Sequence, residues 1–322
     1  MKIFVTRVIP EPGLEKLRNE HDIEIFPHDR IPTKQEIING LNGKDGLLCL
    51  LSDPIDEEVI NSEPDLKMIA SYAVGYDNID VVAATKKKIP VSNTPDVLTD
   101  ATAEMAWALL FSTARRIVEA DSFTRAGKFN GWGPMLMLGQ DVENKALGIV
   151  GSGRIGTAFA LKSKGFNMKV LYFSNHKNET LEKELNAKKV ELTELLKESD
   201  FISLHVPLTE NTHHLIGENE LKLMKKSAVL INTSRGPVID EKALVNALIE
   251  RQIFGAGLDV YEHEPKINEE LKKLDNVVLQ PHSASATIDS RSKMAVMAAE
   301  NMIAGLKGEI PPNCINKEVF NK

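Results

Sequence analysis

Gly151, Gly153 and Gly156 have the spacing G-x-G-x-x-G and follow directly on the apolar run Ala146-Leu147-Gly148-Ile149-Val150. That spacing brings bare backbone up to phosphate. Gly151 permits a tight turn, Gly153 lets a pyrophosphate approach the chain, and Gly156 lets the next helix lie close to the strand. The helix that follows, read over 157–164, adds unpaired N–H groups and the positive end of its dipole. A plain glycine-rich turn is the alternative. The strand before, the helix after and a second apolar run over 169–173 favour a dinucleotide site.

The tip of that second run is informative for what it lacks. NAD sites place Asp or Glu about 20 residues past the glycines, on the ribose 2′-hydroxyl. Here the residues are Ser174-Asn175-His176-Lys177, with no acid before Glu179. A carboxylate would repel a 2′-phosphate, whereas Ser174, Asn175 and Lys177 can donate hydrogen bonds to one. The expectation is NADP(H), with NAD(H) possible if these are only solvated loop residues that let both cofactors bind.

The elements that must carry these groups alternate strand and helix throughout, which predicts an α/β fold with parallel sheets. Strands are expected over 2–8, 23–26, 46–51, 68–73 and 90–92, with helices over 11–20, 34–39, 57–61 and 81–87 between them. A long amphipathic helix then starts from Asp100 as N-cap, with Ala103, Ala106, Trp107, Leu110, Ala114 and Ile117 on one face. Past the glycines, strands are expected over 201–206, 229–232, 255–260 and 277–280. A full α/β unit precedes the glycine motif, so the nucleotide domain reads as an insertion into another domain. The last helix, over 291–306, should return to the first unit, with Met294, Met297, Ala298 and Met302 filling its core.

Composition narrows the class. The 322 residues suffice for two cores, and a net charge of −7 without a basic run speaks against nucleic acid. Cys49 and Cys314 form no metal or redox spacing and read as reduced thiols of a cytoplasmic protein; no metal is expected. No apolar run approaches the roughly 18 residues that span a bilayer, and the N-terminal residues read as a strand, not a signal peptide.

Five ordered motifs carry a resemblance. They are 71–80 (SYAVGYDNID), the glycine motif, 232–237 (NTSRGP), 259–265 (DVYEHEP) and 281–287 (PHSASAT). Together they resemble the D-isomer-specific 2-hydroxyacid dehydrogenases, particularly the glyoxylate/hydroxypyruvate reductase branch, over essentially the whole chain. The resemblance implies two doubly wound parallel-sheet domains: a flavodoxin-like substrate domain from 1–99 and 288–322, and an inserted Rossmann NAD(P) domain over 100–287. The active site would lie in the cleft between them.

Reducing a 2-oxo acid needs a cation for the carboxylate, a proton for the ketone oxygen and a hydride beside the carbon. Arg235 follows the strand over 229–232, and its planar fork suits carboxylate and ketone oxygen; the resemblance assigns it that role, although an arginine after a strand is commonly just solvated. His282, at another strand end, resembles the family's acid/base, and Glu264 its partner carboxylate, with an exposed turn as the alternative for Glu264. By the same resemblance Leu51, Ser52, Val74 and Gly75 bind substrate together with Arg235, His282 and Trp132. Cofactor contacts carried over are Thr102, Gly151, Gly153, Arg154, Ile155, Gly156, Ser174, Asn175, Lys177, His205, Val206, Pro207, Thr212, Thr233, Ser234 and Asp259. His205 ends an apolar strand and reads equally as a core histidine. His263 is assigned to a turn, and His21, His28, His176, His213 and His214 to the surface.

The apolar segment 129–138 resembles the family's dimerisation arm, with Trp132 bordering a neighbouring subunit's site; intramolecular packing is the alternative. Asn144 stands where the family often has glycine before Lys145. A nucleotide-sensing, corepressor-like interaction protein is the alternative outside enzymes. Within the enzyme class the alternative is another D-2-hydroxyacid dehydrogenase, such as a 2-ketogluconate reductase. Formate dehydrogenase is disfavoured by the acidic Glu264, and phosphoglycerate dehydrogenase by the lack of a regulatory extension.

Overall fold

The computed structural model describes residues 1–321. They form two compact units: Met1–Leu98 together with the chain from Ala286 onward, and Thr99–Ser285 between them. Each unit is built on one parallel sheet, and both sheets are α/β in the manner the alternating pattern predicts.

In the first unit β1 (Lys2–Val5), β2 (Asp22–Ile25), β3 (Gly46–Cys49), β4 (Met68–Ser71) and β5 (Val91–Ser92) stack in the order β2-β1-β3-β4-β5. This is the doubly wound order in which the chain starts inside and turns both ways. Strands β3 and β4 are buried at every position, as parallel strands covered on both faces must be. The helix Ile288–Leu306 returns to this unit. Thr287 caps it by accepting a hydrogen bond from the Ser290 N–H. Gly13 makes room for it: a Cβ there would lie 2.5 Å from the Ala295 carbonyl oxygen, and one on Gly46 would lie 2.6 Å from Met302 Sδ. Met294, Ala298 and Met302 are buried as expected, while Met297 sits at the half-exposed margin.

In the second unit β6 (Ala146–Val150), β7 (Lys169–Phe173), β8 (Lys188–Lys189), β9 (Phe201–Leu204), β10 (Val229–Asn232), β11 (Gly255–Leu258) and β12 (Val277–Leu279) stack as β12-β11-β10-β9-β6-β7-β8. The order reverses between β6 and β9, the switch point at which α/β sheets bind ligands. Alternate residues serve opposite faces. Leu147, Ile149, Phe201, Val229 and Ile231 pack in one core layer, whereas Val150, Ile202, Leu204 and Leu230 pack in the other. Helix Thr99–Ala114 covers the first layer. Its Trp107 stacks on Phe159 with centroids 5.0 Å apart and donates Nε1–H to the Phe159 carbonyl at 2.9 Å.

Several expectations need correction. Asp100 lies inside the first turn of that helix, not at its N-cap. The helix is buried around most of its circumference and stops at Ala114. Arg116 takes a left-handed φ of 52°, so Ile117 opens a separate helix (Ile117–Arg125) and is exposed. Most strands end one to three residues before their apolar runs do. Thr6 and Arg7, for example, leave the ladder, and Val8 is exposed. β8 was not anticipated: two exposed lysines at a sheet edge give no apolar signal, and charge at an edge discourages further pairing. Asn144 adopts φ 61°, which explains glycine's suitability there. Its N–H donates to the Phe166 carbonyl, and its side-chain oxygen accepts from Asn167. Among the described residues no helix is long and apolar enough to cross a membrane.

Candidate active site

Strand register fixes where the polar residues emerge. Val150 pairs with Leu204, Leu204 with Asn232, Asn232 with Leu258, and Leu258 with Leu279. These five residues form one row across the second sheet. The next residue on each strand is therefore at the same carboxyl edge: Gly151, His205, Thr233, Asp259 and Gln280. Arg235 and His282 follow two residues later on β10 and β12.

The glycine turn has the geometry its spacing predicts. Gly151 has φ 95°, and a Cβ on it would lie 2.7 Å from the His205 carbonyl oxygen. A Cβ on Gly156 would overlap the Gly151 carbonyl, whereas one on Gly153 would meet nothing within 4 Å. Gly153 caps helix Arg154–Lys162 in extended conformation without a side-chain cap, so no capping side chain occupies the helix N-terminus. Asn178 ties the turn down, donating to the Ser152 carbonyl (2.9 Å) and the Thr157 hydroxyl (2.8 Å). The Thr233 hydroxyl and His205 Nδ1 are buried on the same edge without a hydrogen-bond partner. Polar atoms orphaned beside an open phosphate cradle fit a bound dinucleotide. His205 is both core residue and edge residue: Nε2 lies 2.9 Å from Ser203 Oγ, and burial drives its pKa down to about 3, so the ring is neutral.

His282 and Glu264 meet, with Nδ1 2.7 Å from Oε2. His282 is held at φ 53°, a left-handed conformation that costs energy for a residue with a Cβ. Asp259 maintains it. This fully buried carboxylate accepts the amides of Ser283 (2.7 Å) and Ala284 (2.8 Å), the two residues after His282. Burial pushes the Asp259 carboxyl upward, and those two amides oppose the shift. The other Glu264 oxygen accepts the Tyr261 amide at 3.0 Å, and Tyr261 donates its hydroxyl to the Gln280 carbonyl at 2.8 Å. The turn bearing Glu264 and the loop bearing His282 are thus fastened at three points.

Arg235 sits on a loop shaped by Asn232, a buried residue. Its side chain accepts from the amide and hydroxyl of Ser234 and donates to the Arg235 carbonyl at 2.9 Å. Asn232, Tyr261 and Asn178 were not anticipated as site-shaping residues. A polar residue ending the apolar run VLIN was the available signal for Asn232. Thr102 is buried, Thr212 donates its hydroxyl to the Pro207 carbonyl at 2.6 Å, and Arg154 is exposed beside the glycine turn.

At the β7 tip Lys177 pairs with Glu182 at 2.9 Å and Lys189 reaches the Asn175 carbonyl at 3.2 Å, a second cation that the linear spacing did not reveal. In the first unit Leu51 and Ser52 follow β3, and Val74 and Gly75 follow β4, again on a carboxyl edge. Asp53 organises that edge by accepting the Leu50 amide (2.7 Å) and the Thr6 hydroxyl (2.5 Å), and Asn93 donates to the Val74 carbonyl at 2.8 Å. Two histidine assignments change. His214 is half-buried and bonded to Glu262, and both ring nitrogens of His21 are buried; His28, His176, His213 and His263 are exposed.

A family model described as D-isomer specific 2-hydroxyacid dehydrogenase, NAD binding domain, matches residues 107–284. A glyoxylate reductase of Korarchaeum cryptofilum is 54% identical over 320 residues, covering 99% of this chain and 96% of its own length. Among solved structures, a protein of Thermus thermophilus superposes with a TM-score of 0.92 at 42% identity, covering 98% of this chain and 100% of its own. An NADPH-dependent glyoxylate/hydroxypyruvate reductase of Sinorhizobium meliloti, in complex with NADP and malonate, has a TM-score of 0.89 at 29% identity, with 100% and 98% covered.

Proposed function

The chain belongs to the D-isomer specific 2-hydroxyacid dehydrogenase family, an oxidoreductase acting on 2-oxo acids, and from that premise we propose that it reduces glyoxylate or hydroxypyruvate to the D-2-hydroxy acid with NADPH. The observation that carries this reading is the Glu264–His282 pair, 2.7 Å apart, on the sheet edge that also presents the glycine turn. The cofactor would be held by the glycine turn with Arg154 and Ile155, by Thr102, by the loops of His205, Val206, Pro207 and Thr212, and by Thr233, Ser234 and Asp259. When bound it supplies a hydride to the ketone carbon.

The chain's own groups do the rest. Arg235 grips the carboxylate and the ketone oxygen. Glu264 engages Nδ1 of His282, which leaves Nε2 to give its proton to the ketone oxygen as the hydride arrives. Glu264 holds the ring by Nδ1 throughout, and the proton given up at Nε2 is replaced from solvent. A panel of 2-oxo acids followed by loss of NADPH absorbance tests the reading. If neither glyoxylate nor hydroxypyruvate is consumed, the assignment is wrong.

The preference for NADPH rests on the β7 tip, where Ser174, Asn175 and Lys177 can donate and no acidic residue stands between Phe173 and Glu179. The lysine end of the Lys177–Glu182 pair is exposed, so the pair is a weak competitor for a phosphate. We expect kcat/KM to be at least about tenfold higher with NADPH than with NADH, because one charge-assisted hydrogen bond is worth about 1.5–3 kcal/mol. Ser174→Asp should reverse the order. Equal use of both cofactors by the unaltered enzyme would remove the preference.

The arm over 129–138 is the support for a homodimer. Trp132 is 86% exposed and Met135 77%, with Phe129, Leu136 and Leu138 also exposed, an apolar surface that a lone chain leaves in water. Trp132 would then border the partner subunit's substrate. Light scattering at micromolar concentration should give twice the chain mass, and a monomer would exclude the arm as an interface.

A further inference from the structure

The turn that supplies Glu264 carries a second carboxylate with a histidine of its own. Glu262 Oε1 lies 2.7 Å from His214 Nε2, and the His213 ring stacks on that of His214 with centroids 4.0 Å apart. The ligand atoms of His213, His214 and Glu262 all lie within 4.8 Å of one another. Among the described residues no other three His, Cys, Asp or Glu side chains come this close. From this cluster we propose a binding site for a divalent transition-metal ion of the zinc type, separate from the Glu264–His282 pair and independent of the substrate assigned above.

The ligand set selects the ion class. Two imidazoles and a carboxylate suit Zn²⁺, which commonly takes three protein ligands and completes its shell with water. Mg²⁺ and Ca²⁺ prefer all-oxygen shells that this cluster does not offer. In a tetrahedral zinc shell neighbouring ligand atoms sit about 3.3 Å apart. The ion therefore takes the place of the His214–Glu262 hydrogen bond and opens that contact by about 0.6 Å, and the exposed His213 ring turns out of its stack so that a nitrogen lone pair, which lies in the ring plane, meets the ion.

Two of the three ligands are already positioned. His214 is held at φ 50°, with its amide donating to the Pro237 carbonyl at 2.8 Å. Glu262 is locked to the start of helix Glu241–Ile249: its Oε2 accepts the Glu241 amide at 3.0 Å, and its own amide donates to Glu241 Oε2 at 3.1 Å. Outer hydrogen bonds of this kind orient a ligating carboxylate. His213 is exposed and gives the ion a path in from solvent. A bound ion ties the loop over 212–217 to the turn over 261–265, two residues from the partner of His282.

Titration of tag-free, chelator-stripped full-length protein with ZnCl₂ in a calorimeter tests the site, with MgCl₂ as the control. One Zn²⁺ per chain is expected and no heat with Mg²⁺. His213→Ala and Glu262→Gln should each weaken Zn²⁺ binding by at least about tenfold, with unchanged circular dichroism, and His282→Ala should bind Zn²⁺ as the unaltered protein does. No uptake by the unaltered protein overturns the proposal. So does uptake that survives both substitutions in the cluster, or uptake lost only with His282→Ala, which would place the ion at the catalytic pair.

Discussion

His282→Ala is expected to lower kcat by about 10²–10⁴-fold, the range that a positioned proton donor contributes. The substitution leaves the glycine turn and Arg235, the proposed carboxylate ligand, in place, so KM for the 2-oxo acid and for NADPH should move far less than kcat. The backbone at this position is held at φ 53°, and alanine is still strained there, so little relief of backbone energy masks the chemical loss. Glu264→Gln should fall in the same direction by a smaller factor. Glutamine can still accept the Tyr261 amide and face Nδ1, but an uncharged amide is a weaker hydrogen-bond partner for the ring than a carboxylate. Steady-state kinetics with glyoxylate or hydroxypyruvate decide the matter. Turnover within a fewfold of the unaltered enzyme in His282→Ala would falsify the acid/base assignment.

Gly236→Ala is the second large effect. A methyl group at Gly236 would overlap the carbonyl carbon and oxygen of Tyr261 and lie 2.5 Å from the Glu262 amide. All of these are backbone atoms that cannot swing aside as a side chain end could. Either the loop bearing Arg235 or the turn bearing Glu264 must move, and both belong to the proposed machinery. Overpacking of this kind costs about 1–3 kcal/mol and sometimes more, while an ångström of misplacement in a catalytic group costs on the order of 10²-fold in rate. We therefore expect both a lower denaturation midpoint and a kcat/KM reduced by about 10²-fold. Gly165→Ala is the matched control, since a Cβ there would meet nothing within 4 Å. If the two variants behave alike, close approach of the two backbones is not what Gly236 provides.

What the sequence disclosed follows the range of the interactions. β7 and β10 are legible to the residue; a polar residue closes each apolar run at its carboxyl end, Ser174 after Phe173 and Asn232 after Ile231. Helix Thr99–Ala114 was legible as a helix but not at its ends: the break at Arg116 is a backbone event that the apolar repeat running on to Ile117 conceals. The glycine turn was readable from spacing alone, since its chemistry lies within six residues. Glu264, His282 and Arg235 were not, because strand register, which no single segment encodes, brings their loops to one edge; the resemblance supplied their roles. His214 was misassigned to the surface for the same reason, its partner Glu262 being 48 positions away. The sequence reading of Asp259 is a cofactor contact; its hydrogen bonds from the amides of Ser283 and Ala284, 24 and 25 positions away, hold the loop of His282 and have no local signal.

The first unit is assembled from both ends of the chain, and this sets an order on its making. A ribosome delivers Met1–Leu98 before Thr99–Ser285, yet the hollows at Gly13 and Gly46 receive Ala295 and Met302 only after the whole of that second unit has been made. The second unit, contiguous in the message, has all seven strands in hand before that helix exists. The sheet of the first unit is thus made before that of the second and covered after it, and a nascent chain cut short after Ser285 keeps every strand of the second unit while leaving the first without that helix.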